Sequence, residues 1–469
     1  MSFALAGDHY RLGGRLGHNA KMPHRNLLLL LSTALISYAC YVRAEQNPYA
    51  RYVAAGFSVI DRWSLQDAPD QQLFEGAMRG MIDVLRKSGD EHSAFVNEQQ
   101  RDGFREDLNQ QFGGVGVRIR LLGEPALPTV VGPPEPGTPA FRADIRSGDR
   151  ILAINDQQTA DMVMDDVLRL MRGPVGAPIK LAIRHVEDDR SHDVDLTRAM
   201  ITVESIYGDV RNENGQWNFR LADDPRIGYV RITKFGDKTE AELTRVLADL
   251  TEHRTGLPIE ALIIDVRDNA GGNLDAAVGI SDLFLRAGRT IVTTRGRDQV
   301  ARDRFVSTGN GGYTELPMGV LINRDSASAS EILAACLQDY SRAVIIGQRS
   351  YGKGTVQRLF THIESGRSLL KLTSATYWRP SEKNIHRMSS DDLQATWGVR
   401  PTPRFEVELD KQEDLQWRKY RLRRDLLGDK PGGALADQLE REDGTLPDEF
   451  SDRVLRWAIE HLQRQLAKS

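Results

Sequence analysis

Two cysteines, Cys40 and Cys336, in a chain of 469 residues exclude a disulfide-stapled scaffold and any structural zinc cluster built on thiolates. Neither HExxH nor CxxC spacing occurs, so the 10 histidines form no recognisable ligand set and no metal is expected. A basic excess is missing as well. The chain has 62 Lys+Arg against 66 Asp+Glu, a formal net charge of -4, which removes the electrostatic footprint of a general nucleic-acid binder. There are no internal repeats. What remains, 40% hydrophobic and 27% charged residues, is the composition of a folded body, and the length suggests about three domains.

Long apolar runs are scarce, and the one that exists lies near the start. Leu27 to Val42 reads LLLLLSTALISYACYV and follows Arg11, Arg15, Lys21, His24 and Arg25. A basic flank before an apolar run is the pattern of an export signal or an N-terminal anchor. The run falls short of the about 20 residues that cross a bilayer comfortably, which leaves both open. Val42-Arg43-Ala44 offers small residues for cleavage after Ala44. Ser37 stands where a lipobox before Cys40 would need an aliphatic residue, and Met22 is an alternative start. The expected compartment is outside the cytoplasm: periplasm or cell envelope, with the apolar segment as a signal peptide or a transmembrane anchor in the inner membrane.

Downstream the hydrophobic period changes in blocks. Residues 45–111 carry helical spacing in FSVIDRW and LFEGAMRGMIDVL. Residues 112–199 hold five short β-branched runs, VGVRIR, PTVVG, DRILAIND, PIKLAIRH and DVDLT, and one helical stretch, MVMDDVLRLMRG; this predicts a small β-rich module. From 200 to 400 buried-type strands alternate with helices, as in an α/β layer structure. After Pro401 the chain is charged and helical to 469, with GDKPGG at 428–433 read as a linker.

Three segments carry the chemistry. IIDVRDNAGGN (Ile263 to Asn273) runs from a strand into a Gly-Gly turn that opens a helix and aims amides at one point. VLINRDSASASEILAACLQDY (Val320 to Tyr340) puts Ser328 at a helix start; Ser328-x-x-Glu331 is also a capping box. AVIIGQRSYGKGTVQ (Ala343 to Gln357) carries Lys353 between two glycines, a backbone able to pack closely and push the ammonium into a poorly solvated place. Alone, each reads as ordinary structure. A phosphate loop at Gly347 to Lys353 fails because Gly354 replaces the Ser or Thr that ligates magnesium, and TVQRLFTHI reads as a strand rather than a helix.

In this order, with an intervening β module, the segments resemble the C-terminal processing (tail-specific) proteases, serine peptidases with a Ser–Lys dyad, from about residue 50 to 400. The resemblance implies Ser328 as nucleophile, Lys353 as general base and Gln357 as the residue orienting it. It implies oxyanion amides from Ala329 and from Gly271 or Gly272, with Asp339 and Glu331 supporting. GDEHSAF (Gly89 to Phe95) is similar to the family's DPHSxY segment, with Glu91 in place of proline. Residues 112–199 resemble a PDZ domain: FGGVGV matches its carboxylate-binding loop, which implies peptide binding by Gly113, Gly114, Val115, Gly116 and Val117, and SGDRILAIND (Ser147 to Asp156) matches its GDxIxxING strand. Such a module accepts an extended tail by strand addition. PSEKNIHR (Pro380 to Arg387) departs from the family's PSGxxIQ, and Asp144 from a usual glycine, which bears on substrate preference.

The implied fold is multidomain α/β: an N-terminal helical segment, a PDZ domain, a crotonase/ClpP-like (ββα-type) peptidase core and a helical C-terminal extension. The implied activity is a serine endopeptidase that cleaves the C-terminal region of exported proteins through an acyl-enzyme, without cofactor, with exposed C-terminal tails as partners. The resemblance also implies a homo-oligomer, because members of the family often assemble through helical ends such as the one after Pro401. Two other readings stay open: a non-catalytic PDZ scaffold, and a Ser–His hydrolase using His92, His362 or His386.

Overall fold

The computed structural model describes residues 31–38, 47–185, 190–212, 215–252, 256–387, 396–427, 434–443 and 450–468. The signal and cleavage readings around Lys21 to Arg25 and Cys40 to Ala44 lie outside them, as does the linker at 428–433. Among the described residues no helix is long and apolar enough to cross a membrane. The chain divides into two compact units, Met1–Met81 and Ile82–Ser469. In the first, helix α1 (Pro48–Trp63) starts with Asn47 accepting from the Tyr49 amide and with proline in its first turn, and it buries no residue. Helix α2 (Asp70–Lys87) crosses into the second unit.

The second unit opens with strand β1 (Ala94–Val96) and helix α3 (Glu98–Asn109). A β-rich module follows: β2 (Gln111–Gly114), β3 (Ile119–Leu122), β4 (Leu127–Val130), β5 (Arg150–Ile154), helix α4 (Met164–Met171), β6 (Pro178–Arg184), β7 (Ser191–Thr197) and β8 (Ala199–Thr202). Strands β3-β4-β5-β6-β7 form one antiparallel sheet, while β2 and β8 pair separately. Strand β6 shows the one-sided alternation of such sheets: Ile179, Leu181 and Ile183 enter the core with Val167 and Met171 of α4. VGVRIR is a strand only from Ile119. Before that, the Val115 and Gly116 carbonyls are taken by the amides of Ala140 and Glu135, which bends 115–118 into a loop.

The α/β layer is built on β9 (Ile206–Tyr207), β10 (Ile227–Ile232), helix α5 (Thr239–Thr251), β11 (Ala261–Asp265), helix α6 (Leu274–Asp282), β12 (Thr290–Arg295), β13 (Ala301–Val306), β14 (Met318–Ile322), helix α7 (Ala329–Asp339), β15 (Val344–Gly347), β16 (Thr355–Ile363) and β17 (Ser368–Trp378). The central sheet runs β9-β10-β11-β14-β15, parallel except for β9. Every residue of β10, β11 and β14 is buried, as a parallel sheet covered on both faces requires. Val230, Leu262, Ile264 and Val320 face Leu247, Ile280 and Leu333 of α5, α6 and α7. Their neighbours Tyr229, Ile263 and Leu321 face the other way. A second sheet, β1-β17-β12-β13 with β16 on β17, stands beside it.

The C-terminal extension comprises α8 (Lys411–Leu427), α9 (Ala434–Asp443) and α10 (Arg453–Leu466). It is no loose arm. Val454, Ala458 and Leu462 of α10 pack on Tyr229, Ile263, Leu321 and Ile346, so α10 covers the second face of the central sheet. Leu426 of α8 and Leu435 and Leu439 of α9 pack with Leu122 and Val131 of the β module.

Candidate active site

All three chemistry-bearing segments leave the carboxyl ends of adjacent parallel strands. Residues 266–273 follow β11, residues 323–328 follow β14, and residues 348–354 follow β15. Loops at that edge of a parallel sheet converge; here the second and third share one buried carboxylate, and the first lies against Ser328.

Ser328 ends the second turn with φ 56° and ψ −113°, a conformation a non-glycine residue holds only when its surroundings dictate it. They do. Glu331, fully buried, reaches back with Oε2 to the Ser328 amide at 2.8 Å. That is the capping half of Ser-x-x-Glu, but the same carboxylate does more. Its Oε2 also accepts from the Lys353 amide at 2.8 Å. Its Oε1 accepts from the Gly352 amide at 2.7 Å and the Ser350 hydroxyl at 2.6 Å. Burial raises the Glu331 carboxyl to about 7 even though all four donors act to lower it. One carboxylate thus sets the backbone of the serine against the backbone of the lysine.

Lys353 is half-buried. Burial holds its pKa below the usual lysine range, Lys371 adds to the depression, and Glu331 opposes it. The flanking glycines have a steric reason. A Cβ on Gly352 would meet Arg387 Cβ and the Trp397 ring at 2.8 Å, and one on Gly354 would meet the His386 backbone nitrogen at 2.1 Å. Gln357, on β16, donates to Thr355 Oγ1 at 2.9 Å and Thr373 Oγ1 at 3.4 Å. Thr373 donates onward to Asp90 at 2.8 Å, and Asp90 also takes the amides of His92 and Ser93. The GDEHSAF turn is therefore fastened to the strand that neighbours Gln357. Burial and the Lys353 charge lower the His92 pKa.

The Gly-Gly turn lies against the serine. A Cβ on Gly271 would come within 2.6 Å of the Ala327 carbonyl, 2.8 Å of Ser328 Cβ and 2.9 Å of the Ala329 amide nitrogen. Its own amide donates to Asn269 Oδ1 at 2.8 Å. Asn269, fully buried, further donates to the Ile232 carbonyl at 2.7 Å, and its carbonyl accepts from Ala327 N and Ser330 Oγ, both at 2.9 Å. The Gly272 carbon lies against the Phe235 backbone.

Asp339 stands apart, at the far end of α7, about 16 Å along the helix from Ser328. Its carboxylate pairs with Arg379 at 2.6 Å and accepts from the Ser381 amide at 2.9 Å, fixing the chain where it leaves β17. In the β module, Gly113 and Gly114 sit in β2 against β8. A Cβ on Gly113 would strike the Gly173 carbonyl oxygen at 1.9 Å, and one on Gly116 would strike Thr138 at 2.3 Å.

Two residues escaped the sequence reading. Tyr377, buried on β17, hydrogen-bonds the Ser328 side chain, and burial pushes its phenol up to about 12. Nothing in SATYW marks it, because only strand register brings it to the serine. Asn269 was visible inside DNAGG but reads there as a turn residue.

The chain is similar to several known proteins. The pattern of Peptidase family S41 matches residues 226–401 and that of the PDZ domain residues 130–185. A carboxy-terminal-processing protease of Bartonella bacilliformis is 35% identical over 361 residues, covering 76% of this chain and 78% of that protein. The carboxy-terminal processing protease CtpA of Bacillus subtilis is 28% identical over 342 residues, covering 73% of this chain and 66% of that protein. Among solved structures, a photosystem II D1 C-terminal processing protease aligns with TM-score 0.42 at 24% identity, over 77% of this chain and 94% of that one.

Proposed function

The chain belongs to the carboxy-terminal-processing proteases of peptidase family S41, and from that membership we propose that Ser328 is its nucleophile and Lys353 its general base. It is a serine-type endopeptidase acting on C-terminal regions of proteins. Lys353 in its deprotonated form, which burial favours, takes the Ser328 proton as Oγ attacks the scissile carbonyl. The Gly272 and Ala329 amides receive the oxyanion, at about 3 kcal/mol per donor; the Gly271 amide is engaged by Asn269 and serves through close approach instead. The Lys353 ammonium then protonates the leaving amine, and water hydrolyses the acyl-enzyme. Gln357 orients Lys353. The tail docks at Gly113 to Val117, and Asp339 supports the fold behind the site.

The observation that carries this reading is the buried Glu331 carboxylate, bound at once to the amides of Ser328 and Lys353. A scaffold has no use for such a link. The N-terminal basic flank and apolar run support export to the periplasm or cell envelope, with the run serving as signal or anchor; the homo-oligomer reading rests on the helical C-terminal extension alone. The test is cleavage of an unfolded protein with an apolar C-terminal tail by the purified enzyme. Ser328→Ala and Lys353→Ala are both expected to abolish it with folding intact, EDTA having no effect. Survival of activity in Lys353→Ala would sink the dyad and point to a histidine base.

A further inference from the structure

Helix α8 lies beside the two turns that frame Ser328, and one of its side chains touches both. Arg418 Nη1 is 2.8 Å from Asp268 Oδ2, and Nη2 is 2.5 Å from Asp325 Oδ2. Its Nε is 3.2 Å from Asp414 on its own helix. Asp268, with φ +57°, immediately precedes Asn269, which holds the Gly271 amide. Asp325 lies three residues before Ser328 in the chain.

The turns also meet through neutral bonds. Asn323 Oδ1 accepts from the amides of Asp268 at 2.9 Å and Asp325 at 3.2 Å, and its Nδ2 donates to Asp268 Oδ1 at 2.7 Å. Ser326 Oγ donates to the Val266 carbonyl at 2.7 Å. These bonds bring two carboxylates to neighbouring positions, where like charges push apart unless a cation lies between them. Arg418 supplies it with a planar fork that can serve both at once, which a lysine ammonium does less well.

The adjoining residue reinforces the grip. Trp417 stacks on Arg267, with the guanidinium 4.4 Å from the ring centre. Arg267 in turn pairs with Asp265 and with Asp452, the N-cap of α10. Four and eight residues beyond Arg418, Leu422 and Leu426 of the same helix pack with Leu122 and Val131 of the PDZ domain. Side-chain exposures of 38% for Arg418, 31% for Asp268 and 48% for Asp325 mean that these ion pairs add little to stability. Their consequence is geometric.

We propose that Arg418 is a positioning residue for the peptidase reaction: by tying Asp268 to Asp325 it fixes the separation of the two turns that carry the Gly272 and Ala329 amides. This rests on the reading of those amides and Ser328 given above. A shift of the Gly-Gly turn relative to Ser328 leaves substrate binding intact and misplaces the oxyanion donors, so the loss falls on kcat.

The test compares full-length wild type with Arg418→Met on a tail-bearing unfolded protein. The expected result is a kcat lower by about tenfold or more, with KM and melting temperature little changed. Arg418→Lys recovers part of the loss, and Asp325→Asn added to Arg418→Met recovers part by removing one of the repelling charges. If Arg418→Met does not fold, Arg418→Lys carries the test through its kcat-against-KM split. An unchanged kcat in the foldable variant overturns the proposal, as does a loss that neither the lysine nor the asparagine relieves. Ser328→Ala in the same series separates the two readings. If it is active, the assignment of the chemistry has failed; if it is dead while Arg418→Met matches wild type, only this inference has failed.

Discussion

Two glycine-bearing regions of this molecule solve different problems. At 269–272 glycine lets backbone approach Ser328, the proposed nucleophile, and buried polar side chains fix the result: Asn269 holds one amide, and Glu331 holds the serine and the lysine loop. At 113–117 glycine lets a loop fold against its neighbours, the Gly173 carbonyl and Thr138, and the loop carbonyls are held by backbone amides. The first region is specified by side-chain chemistry, the second by shape. A catalytic site needs atoms at set distances, whereas a docking loop needs amides that an incoming tail can reach.

The comparison breaks most severely at Glu331. Glu331→Gln keeps the volume but replaces an acceptor oxygen with a donor facing N–H or O–H groups, leaving buried donors unsatisfied at about 1–3 kcal/mol each. Turnover is expected to fall by about 10²-fold or more through misplacement, with KM for tails nearly unchanged; steady-state kinetics decides. The variant also carries a stability signature. The Glu331 carboxyl is raised to about 7, so the folded state keeps its proton where the unfolded chain has lost it. Its contribution therefore declines as pH rises from about 4.5 to about 7. Melting temperatures across that window should fall less in Glu331→Gln than in wild type.

Gly116→Ala tests the other half. The new Cβ meets the Thr138 side chain at 2.3–2.5 Å, at φ +87°, and distorts the loop proposed to dock tails. KM for tail-bearing proteins is expected to rise about tenfold, equivalent to about 1.4 kcal/mol, while turnover of a short peptide that does not use the PDZ domain stays at the wild-type level. Equal losses on both substrates would mean that the two regions are not separable.

The mildest probe is Lys371→Met. Activity should rise with pH as Lys353 loses its proton, and the depressed pKa brings that rise below the ordinary lysine value of about 10.4. Removing Lys371 removes one cause of the depression, so the rise moves to the alkaline side. A profile that does not move would show that burial alone sets the base.

Segments whose meaning is local were readable in the sequence. The strand ALIID, the Gly-Gly turn, the serine at a helix start and the lysine between glycines each carry their pattern within about ten residues, and the parallel sheet explains why three of them converge. Residues that act by register or by distant return of the chain were not. Tyr377 reaches Ser328 only because β17 pairs where it does. Arg418 and Asp452 lie in a charged stretch whose composition reads as a solvated surface, yet Arg267, with which Asp452 pairs, is almost fully buried. Glu331 reads as a helix cap because a cap is all its neighbours in sequence reveal; the Ser350 to Lys353 donors arrive from another strand.

The order of elements along the chain has a consequence for biosynthesis. The serine and lysine are translated well before α8 and α10, but the central sheet lacks its second cover until Val454, Ala458 and Leu462 arrive, and Arg267 lacks its Asp452 partner until then. A ribosome-bound chain that already contains Ser328 and Lys353 therefore still lacks the α10 cover of its central sheet, and the last helix to leave the ribosome becomes part of the enzyme's own interior.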